Sequence, residues 1–237
     1  MTDPAATAPL EAVLFDFSGT LFRLEHAGDW FAGPGGTDDV EQQVELMRRL
    51  TAPTGAPVDM TDAQKAKWDR RDLDPEAHHE AFTHVLLASG ASPALAERLY
   101  ARVSDVDSWT PYPDTAAVLR GLADAGIKVG VVSNIPFDLR PIFDKLGVLD
   151  TVGLFSLSFE VGAVKPNPAI FEHALHGLDV RPEVTLMVGD SEIADGGARA
   201  LGAHFALVDP VPTDERPDGL LRAIAPYGLP IASGTGR

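Results

Sequence analysis

The chain has 237 residues, 45% of them hydrophobic, a formal net charge of −16 and no cysteine. That length and apolar content suit one large domain or a core with a smaller insert, and the lack of cysteine excludes disulfides, thiol nucleophiles and cysteine-based zinc sites. The negative charge disfavours nucleic acid, no run of about 18 apolar residues offers a membrane span, and residues 1–9 lack the regions of a secretory signal, so a reducing, cytoplasmic setting is expected.

The first strand is predicted at residues 12–16, where Ala12-Val13-Leu14-Phe15 runs into Asp16. Beyond Leu21 the pattern turns helical and charged, with no strand-like apolar run before Trp109. Helices are expected near 38–50, 61–70, 75–89 and 93–105, with Ala32–Gly36 and Trp109–Pro113 as flanks or hinges. From there strands near 128–132, 154–157, 184–188 and 205–208 alternate with helices near 115–125, 138–146, 168–177, 194–201 and 218–224. Such alternation specifies an α/β class: a Rossmann-like, doubly wound parallel sheet with helices on both faces. Asp114 is read as the N-cap of the helix starting at Thr115, and Gly126 as its stop. Residues 1–9 and 230–237 are expected to be poorly ordered tails.

The residues that carry chemistry stand at strand ends, where ligands bind in open α/β sheets. Asp16 closes the first strand as a nucleophile or metal ligand, with Ser18 and Gly19 in the turn beyond it. Val129-Gly130-Val131-Val132 delivers Ser133 and Asn134. Lys165 is fixed by Pro166-Asn167-Pro168 just before a helical run, and Leu186-Met187-Val188-Gly189 ends in Asp190-Ser191, with Asp195 five residues on. A carboxylate, a hydroxyl, a cation and an acidic pair together suit phosphoryl transfer, in which donors hold anionic oxygens and carboxylates hold magnesium.

The order and character of these four motifs, from about Glu11 to Pro210, resemble the haloacid dehalogenase superfamily, most of whose members are magnesium-dependent phosphatases. The resemblance implies that Asp16 is the nucleophile that becomes an aspartyl-phosphate. Ser133 and Asn134 would bind phosphate, with Ser18 and Gly19 beside it, and Lys165 would bridge nucleophile and phosphate. Mg2+ would be held by Asp16, the Ser18 carbonyl and Asp190, with Asp195 acting through water or by holding Lys165. The helical insertion resembles the cap of the subclass whose lid falls between the first two motifs. The catalytic core would then be residues 1–21 and 110–237, and the cap residues 22–109. Lid closure would exclude water, and Trp68, Arg70, Arg71, His78, His79 and His84, with Phe22 and Arg23 near its start, would select the leaving group. Each of these also reads as an ordinary packed or solvated side chain, and Arg70-Arg71 with Asp72 and Asp74 as surface ion pairs. The expected partner is a small phosphorylated molecule, and the expected state a monomer or homodimer.

Ser18 departs from the family pattern, which usually has Asp two residues after the nucleophile. That Asp protonates the leaving oxygen and then deprotonates water. A serine hydroxyl has no suitable pKa for either task, and such catalysis is worth roughly 10²- to 10⁴-fold. Four readings are open here. The leaving group needs no proton, as in an acyl phosphate, phosphoramidate or phosphonate; or Glu25 or His26 supplies the acid. Alternatively the protein is slow or a phosphate-binding relic, or it is a metal-free haloacid dehalogenase. Asp190 with Asp195 argues against the last, because without metal they would repel a haloacid carboxylate.

Other patterns fail on geometry. His79 and His84 lie five residues apart rather than the four of a zinc-protease helix, about 140° out of line. Ser191 lacks a Gly-x-Ser-x-Gly elbow and reads as a turn hydroxyl. His173 and His176 read as packing or surface residues.

Overall fold

The computed structural model describes residues 9–25, 28–51 and 57–229. Of the tails expected at 1–9 and 230–237, residues 1–8 and 230–237 lie outside the described residues, as does His26. Five parallel strands form the central sheet: β1 (Ala12–Phe15), β4 (Lys128–Ser133), β5 (Leu154–Leu157), β6 (Thr185–Gly189) and β7 (His204–Leu207), in the order β5-β4-β1-β6-β7. The chain leaves β1 toward β5 on one side and returns to pair β6 against the other side of β1. The carboxyl ends of β1 and β6 therefore form the topological switch point, where a crevice opens in such sheets.

Each central strand is buried on both faces, so its residues split with a period of two. Val13, Phe15, Val129, Val131, Leu186 and Val188 join one apolar core, while Leu14, Val132 and Met187 join the other. The first core is closed by α5 (Thr115–Asp124), α6 (Arg140–Leu146) and α9 (Gly219–Ile224). The second is closed by α8 (Pro168–Leu178) and a 3-10 segment, Asp195–Leu201. A short helix, α7 (Ser158–Val161), follows β5 directly. The helix expected at 194–201 is therefore tighter than α. Gly196 and Gly197 weaken α-helical propensity there, and a Cβ on Gly197 would sit 2.6 Å from Pro166, so the segment packs hard against the lysine loop.

Between β1 and α5 the chain makes a two-stranded antiparallel ribbon, β2 (Phe22–Leu24) with β3 (Trp109–Pro111), and four helices between them. These are α1 (Val40–Thr51), α2 (Asp62–Arg70), α3 (Pro75–Ala88) and α4 (Pro93–Ser104). Thr61 and Gln64 form a capping box on α2, and Asp74 and Ser92 cap α3 and α4 ahead of prolines at their first turns. The ribbon corrects the reading of 22–109 as strand-free: three-residue strands are too short to show a period, and they form because each supplies the other's hydrogen bonds. Aromatic contacts fasten it beneath β1, with Phe17 4.6 Å from Trp109 and 5.2 Å from Phe22 between ring centroids. Such pairs are worth about 0.5–1.5 kcal/mol each beyond their buried area.

One local expectation changes. Asp114 does not cap α5; its Oδ2 accepts from the backbone N–H groups of Leu220 (2.8 Å) and Leu221 (3.0 Å), capping α9 across the fold. The glycine-rich Ala32–Gly36 is fastened to α4, with Arg98 donating to the carbonyls of Ala32 and Pro34 and Ser92 to that of Gly35. Gly126 does end α5, at φ +75°. No helix among the described residues is long and apolar enough to cross a membrane.

Candidate active site

The residues singled out at the strand ends converge. Asp16 follows β1, Asp190 follows β6, and Asp195 enters from the 3-10 segment, so that carboxylate oxygens of all three lie within 4.8 Å of one another. The Lys165 ammonium reaches into this group from the loop before α8, 2.5 Å from Asp16 Oδ1 and 2.6 Å from Asp195 Oδ1. Asp195 accepts the Ser191 N–H with its other oxygen at 2.9 Å. Thr20 donates to Asp16 Oδ2 at 3.3 Å, a contact the sequence reading missed.

Three carboxylates against one ammonium leave a surplus of buried negative charge. Burial first, then the neighbouring carboxylates, push Asp16 up to about 7, against the pull of Lys165. Burial and Asp195 push Asp190 up to about 6. Burial opposes the charge on Lys165, but Asp16 and Asp195 outweigh it and hold the amine above its usual range, so the lysine stays cationic. Hard oxygen donors carrying surplus charge fit a divalent ion such as magnesium.

Glycines make the assembly possible. A Cβ on Gly189 would fall 2.2 Å from the Asp195 carboxyl carbon, and one on Gly19 would fall 2.5 Å from Asp190 Oδ2. Gly19 also takes φ +79°, and its N–H donates to the Phe22 carbonyl at 2.8 Å. That N–H closes the loop, and the missing side chain leaves space for Asp190. Ser18 is half-buried and bridges to Phe22, beside Gly19 on the wall of a cavity of about 940 Å3.

Ser133 ends β4 and is buried. Asn134 is turned to the lysine loop: its Oδ1 accepts the Lys165 N–H at 2.7 Å, and its Nδ2 donates to the Lys165 carbonyl at 3.3 Å. One amide hydrogen of Asn134 remains for another acceptor. Ser191 is a turn residue, its hydroxyl accepting the Ala194 N–H at 3.0 Å.

The residues named from the inserted segment scatter. Arg23 lines the cavity beside Ser18. Phe22 is sealed in the aromatic cluster, and Trp68 is buried beneath the Arg71 guanidinium at 4.2 Å. Burial pushes His78 down to about 3, so it is neutral, and it shares a 2.9 Å hydrogen bond with the Tyr100 hydroxyl. His79 meets Glu97, His84 meets Gln64 and Asp59, and exposed Arg70 pairs with Asp74. Glu25 is not a free acid, since its two oxygens accept from the Thr213 N–H (2.7 Å) and hydroxyl (3.0 Å). His173 bonds the Ser156 hydroxyl at 3.0 Å.

Two further residues, Asp72 and Arg216, bear on the site without a local signal for that role. Asp72, in the turn after α2, docks its carbonyl on the Ser158 hydroxyl; burial raises its pKa, while Arg71 and Lys165 pull it down. Arg216, buried beyond β7, donates to the carbonyls of Gly19 (2.7 Å), Thr20 and Asp209, and stacks 3.2 Å over Tyr112. It clamps the loop after Asp16 from 196 or more residues away, and nothing local in sequence signals that.

Comparison with known proteins gives the family and the fold. The family described as haloacid dehalogenase-like hydrolase matches residues 10–202. The chain is 37% identical over 145 residues to haloacid dehalogenase-like hydrolase domain-containing protein 3 of Bos taurus, covering 60% of this chain and 57% of that one. It is 31% identical over 131 residues to the phosphoserine phosphatase of Thermus thermophilus, covering 54% and 53%. The chain thus spans about half the length of the curated relatives it matches. In fold it is similar to L-2-haloacid dehalogenase from Xanthobacter autotrophicus, with a TM-score of 0.56, 23% identity and coverage of 90% and 83%. The chain belongs to the haloacid dehalogenase-like hydrolase family.

Proposed function

We propose that the protein is a magnesium-dependent phosphatase that removes the phosphoryl group of a small phosphorylated molecule through Asp16. The observation that carries this reading is the Lys165 ammonium held between Asp16 and Asp195 beside Asp190. A haloacid carboxylate would add charge to a site already in surplus, whereas a phosphate with a divalent cation completes it. The similarity to phosphatases among the relatives points the same way.

Asp16, Asp190 and the Ser18 carbonyl would hold Mg2+, which when bound draws phosphoryl oxygens to the carboxylates and neutralises their charge. Asp16 attacks phosphorus in line, and the leaving group departs with the electron pair of the broken P–O bond. Lys165, the Ser133 hydroxyl and the remaining Asn134 N–H hold the equatorial oxygens. Asp195 keeps Lys165 in place and protonated. Water then cleaves the aspartyl-phosphate, returning Asp16. The helices α1–α4 act as a cap over this chemistry, residues 22–109 being the cap and the remainder the core.

The test is phosphate release from a panel of phosphomonoesters and activated phosphates, by wild type and Asp16→Asn, with magnesium and with EDTA. Turnover that requires both Asp16 and magnesium supports the reading. Activity that survives EDTA or Asp16→Asn overturns it.

A further inference from the structure

The cavity beside Ser18 is bounded by Ser18, Gly19 and Asp190, and its other walls carry Leu24, Val40, Val44, Met47 and Ile193. Val40 and Val44, one turn apart on α1, are 68% and 62% exposed, and Ile193 is 80% exposed. Single apolar residues at a surface need no explanation. Three that converge on one cavity next to the reacting carboxylates mark a wall for an apolar ligand.

The ionisable groups of that cavity are Arg23, Arg48, Asp190 and Glu192. Asp190 belongs to the carboxylate cluster, Glu192 is paired with Arg199, and Arg48 with Glu45. Glu25 is engaged by Thr213. Among the described residues, then, no unengaged carboxylic acid lines the cavity with Ser18. Arg23 stands there beside Ser18, its Nη1 donating to the Pro210 carbonyl and its Nε, which makes no hydrogen bond, paired at 3.5 Å with the Glu25 carboxylate.

We propose that the substrate is an acyl phosphate with an apolar acyl group, its phosphoryl group at Asp16 and its hydrocarbon body along Val40, Val44 and Ile193. The proposal rests on the Asp16 reading above. A carboxylic acid has a pKa of about 4 and a phenol about 10, and an alcohol lies higher still, so a carboxylate leaves without a proton where the others need one. In the first step an Asp16 oxygen bonds to phosphorus, the bond from phosphorus to the acyl oxygen breaks, and its electron pair leaves on the carboxylate, beside the Arg23 guanidinium. One mixed anhydride is exchanged for another. In the second step water bonds to phosphorus, the bond to Asp16 breaks, and both water protons end on the phosphate released as H2PO4−. The leaving group is again a carboxylate, so neither departure calls on a protein acid at position 18.

The experiment measures magnesium-dependent phosphate release from acyl phosphates of increasing chain length and from alkyl phosphates of the same lengths. Asp16→Asn serves as the blank, and Val44→Asp and Ile193→Asp test the wall. The expected result is preference for acyl over alkyl phosphates, with kcat/KM rising about three- to fourfold per methylene while the chain still gains buried area. Both wall variants should flatten that rise. Asp16-dependent turnover indifferent to chain length overturns the apolar body. Alkyl phosphates hydrolysed as fast as acyl phosphates overturn the leaving group. No Asp16-dependent release from any member overturns this proposal together with the reading beneath it.

Discussion

Asp195 Oδ1 lies 2.6 Å from the Lys165 ammonium, and both side chains are sealed from solvent at 1% and 3% exposure. The contact makes the lysine a fixed charge rather than a mobile one. A second carboxylate, that of Asp16, shares it at 2.5 Å.

Lys165→Met should leave three carboxylates facing one another with no counter-charge. Breaking a buried pair in this way costs about 3–5 kcal/mol. Urea unfolding should show that loss without magnesium and a partial recovery with it. An unchanged midpoint would mean that the ion pair does not hold the site.

Gly19→Ala should strain the loop and displace Asp190, since the position takes φ +79° and the added carbon would meet Asp190 Oδ2 at 2.5 Å. A cost of about 1–3 kcal/mol is expected for such backbone strain. The sharper readout is magnesium binding by calorimetry, which should weaken at least tenfold. Wild-type affinity would show that Asp190 is not a ligand.

The raised carboxylates set a pH dependence. Asp16 and Asp190 bind protons more tightly folded than unfolded, so their contribution to stability falls as pH rises from 3.8 toward about 7. A divalent cation competes with those protons. Magnesium should therefore raise Tm more at about pH 8 than at about pH 4, where little charge is left to neutralise. Asp190→Asn should raise Tm at the higher pH in the absence of metal and shrink the magnesium effect. Equal magnesium shifts at both pH values would contradict the assignment.

Arg216→Lys should lower kcat with little change in KM. The guanidinium holds the Gly19, Thr20 and Asp209 carbonyls at once, and an ammonium cannot span all three while stacking on Tyr112. Misplacing a reacting group by about 1 Å costs on the order of 10²-fold. A purely structural role would instead lower Tm and leave kcat of the folded fraction intact.

Much of this arrangement is legible in the sequence because parallel strands buried on both faces are short apolar runs, and their last residues fall at one edge of the sheet. Asp16, Ser133 and Asp190 were found in that way, and Lys165 through its proline-bounded loop. Side chains that work across the fold were not legible. Arg216 reaches Gly19, and Asp114 caps α9 rather than its own helix, because tertiary packing brings together residues that share no local pattern. The β2–β3 ribbon escaped notice because its stability comes from pairing, not from periodicity. The Gly19 N–H and all but one amide hydrogen of Asn134 go to the loops that shape the site, a use that no local pattern signals.

The measurement that bears most directly on the account is the location of the phosphoryl group during turnover. Wild-type protein would be mixed with an acyl phosphate and magnesium, quenched in acid within milliseconds, digested and examined by mass spectrometry. The account predicts one phosphoryl group on the peptide containing Asp16, absent in Asp16→Asn and in EDTA. Phosphate release with no phosphorylated Asp16 at any quench time, in single turnover, would contradict it.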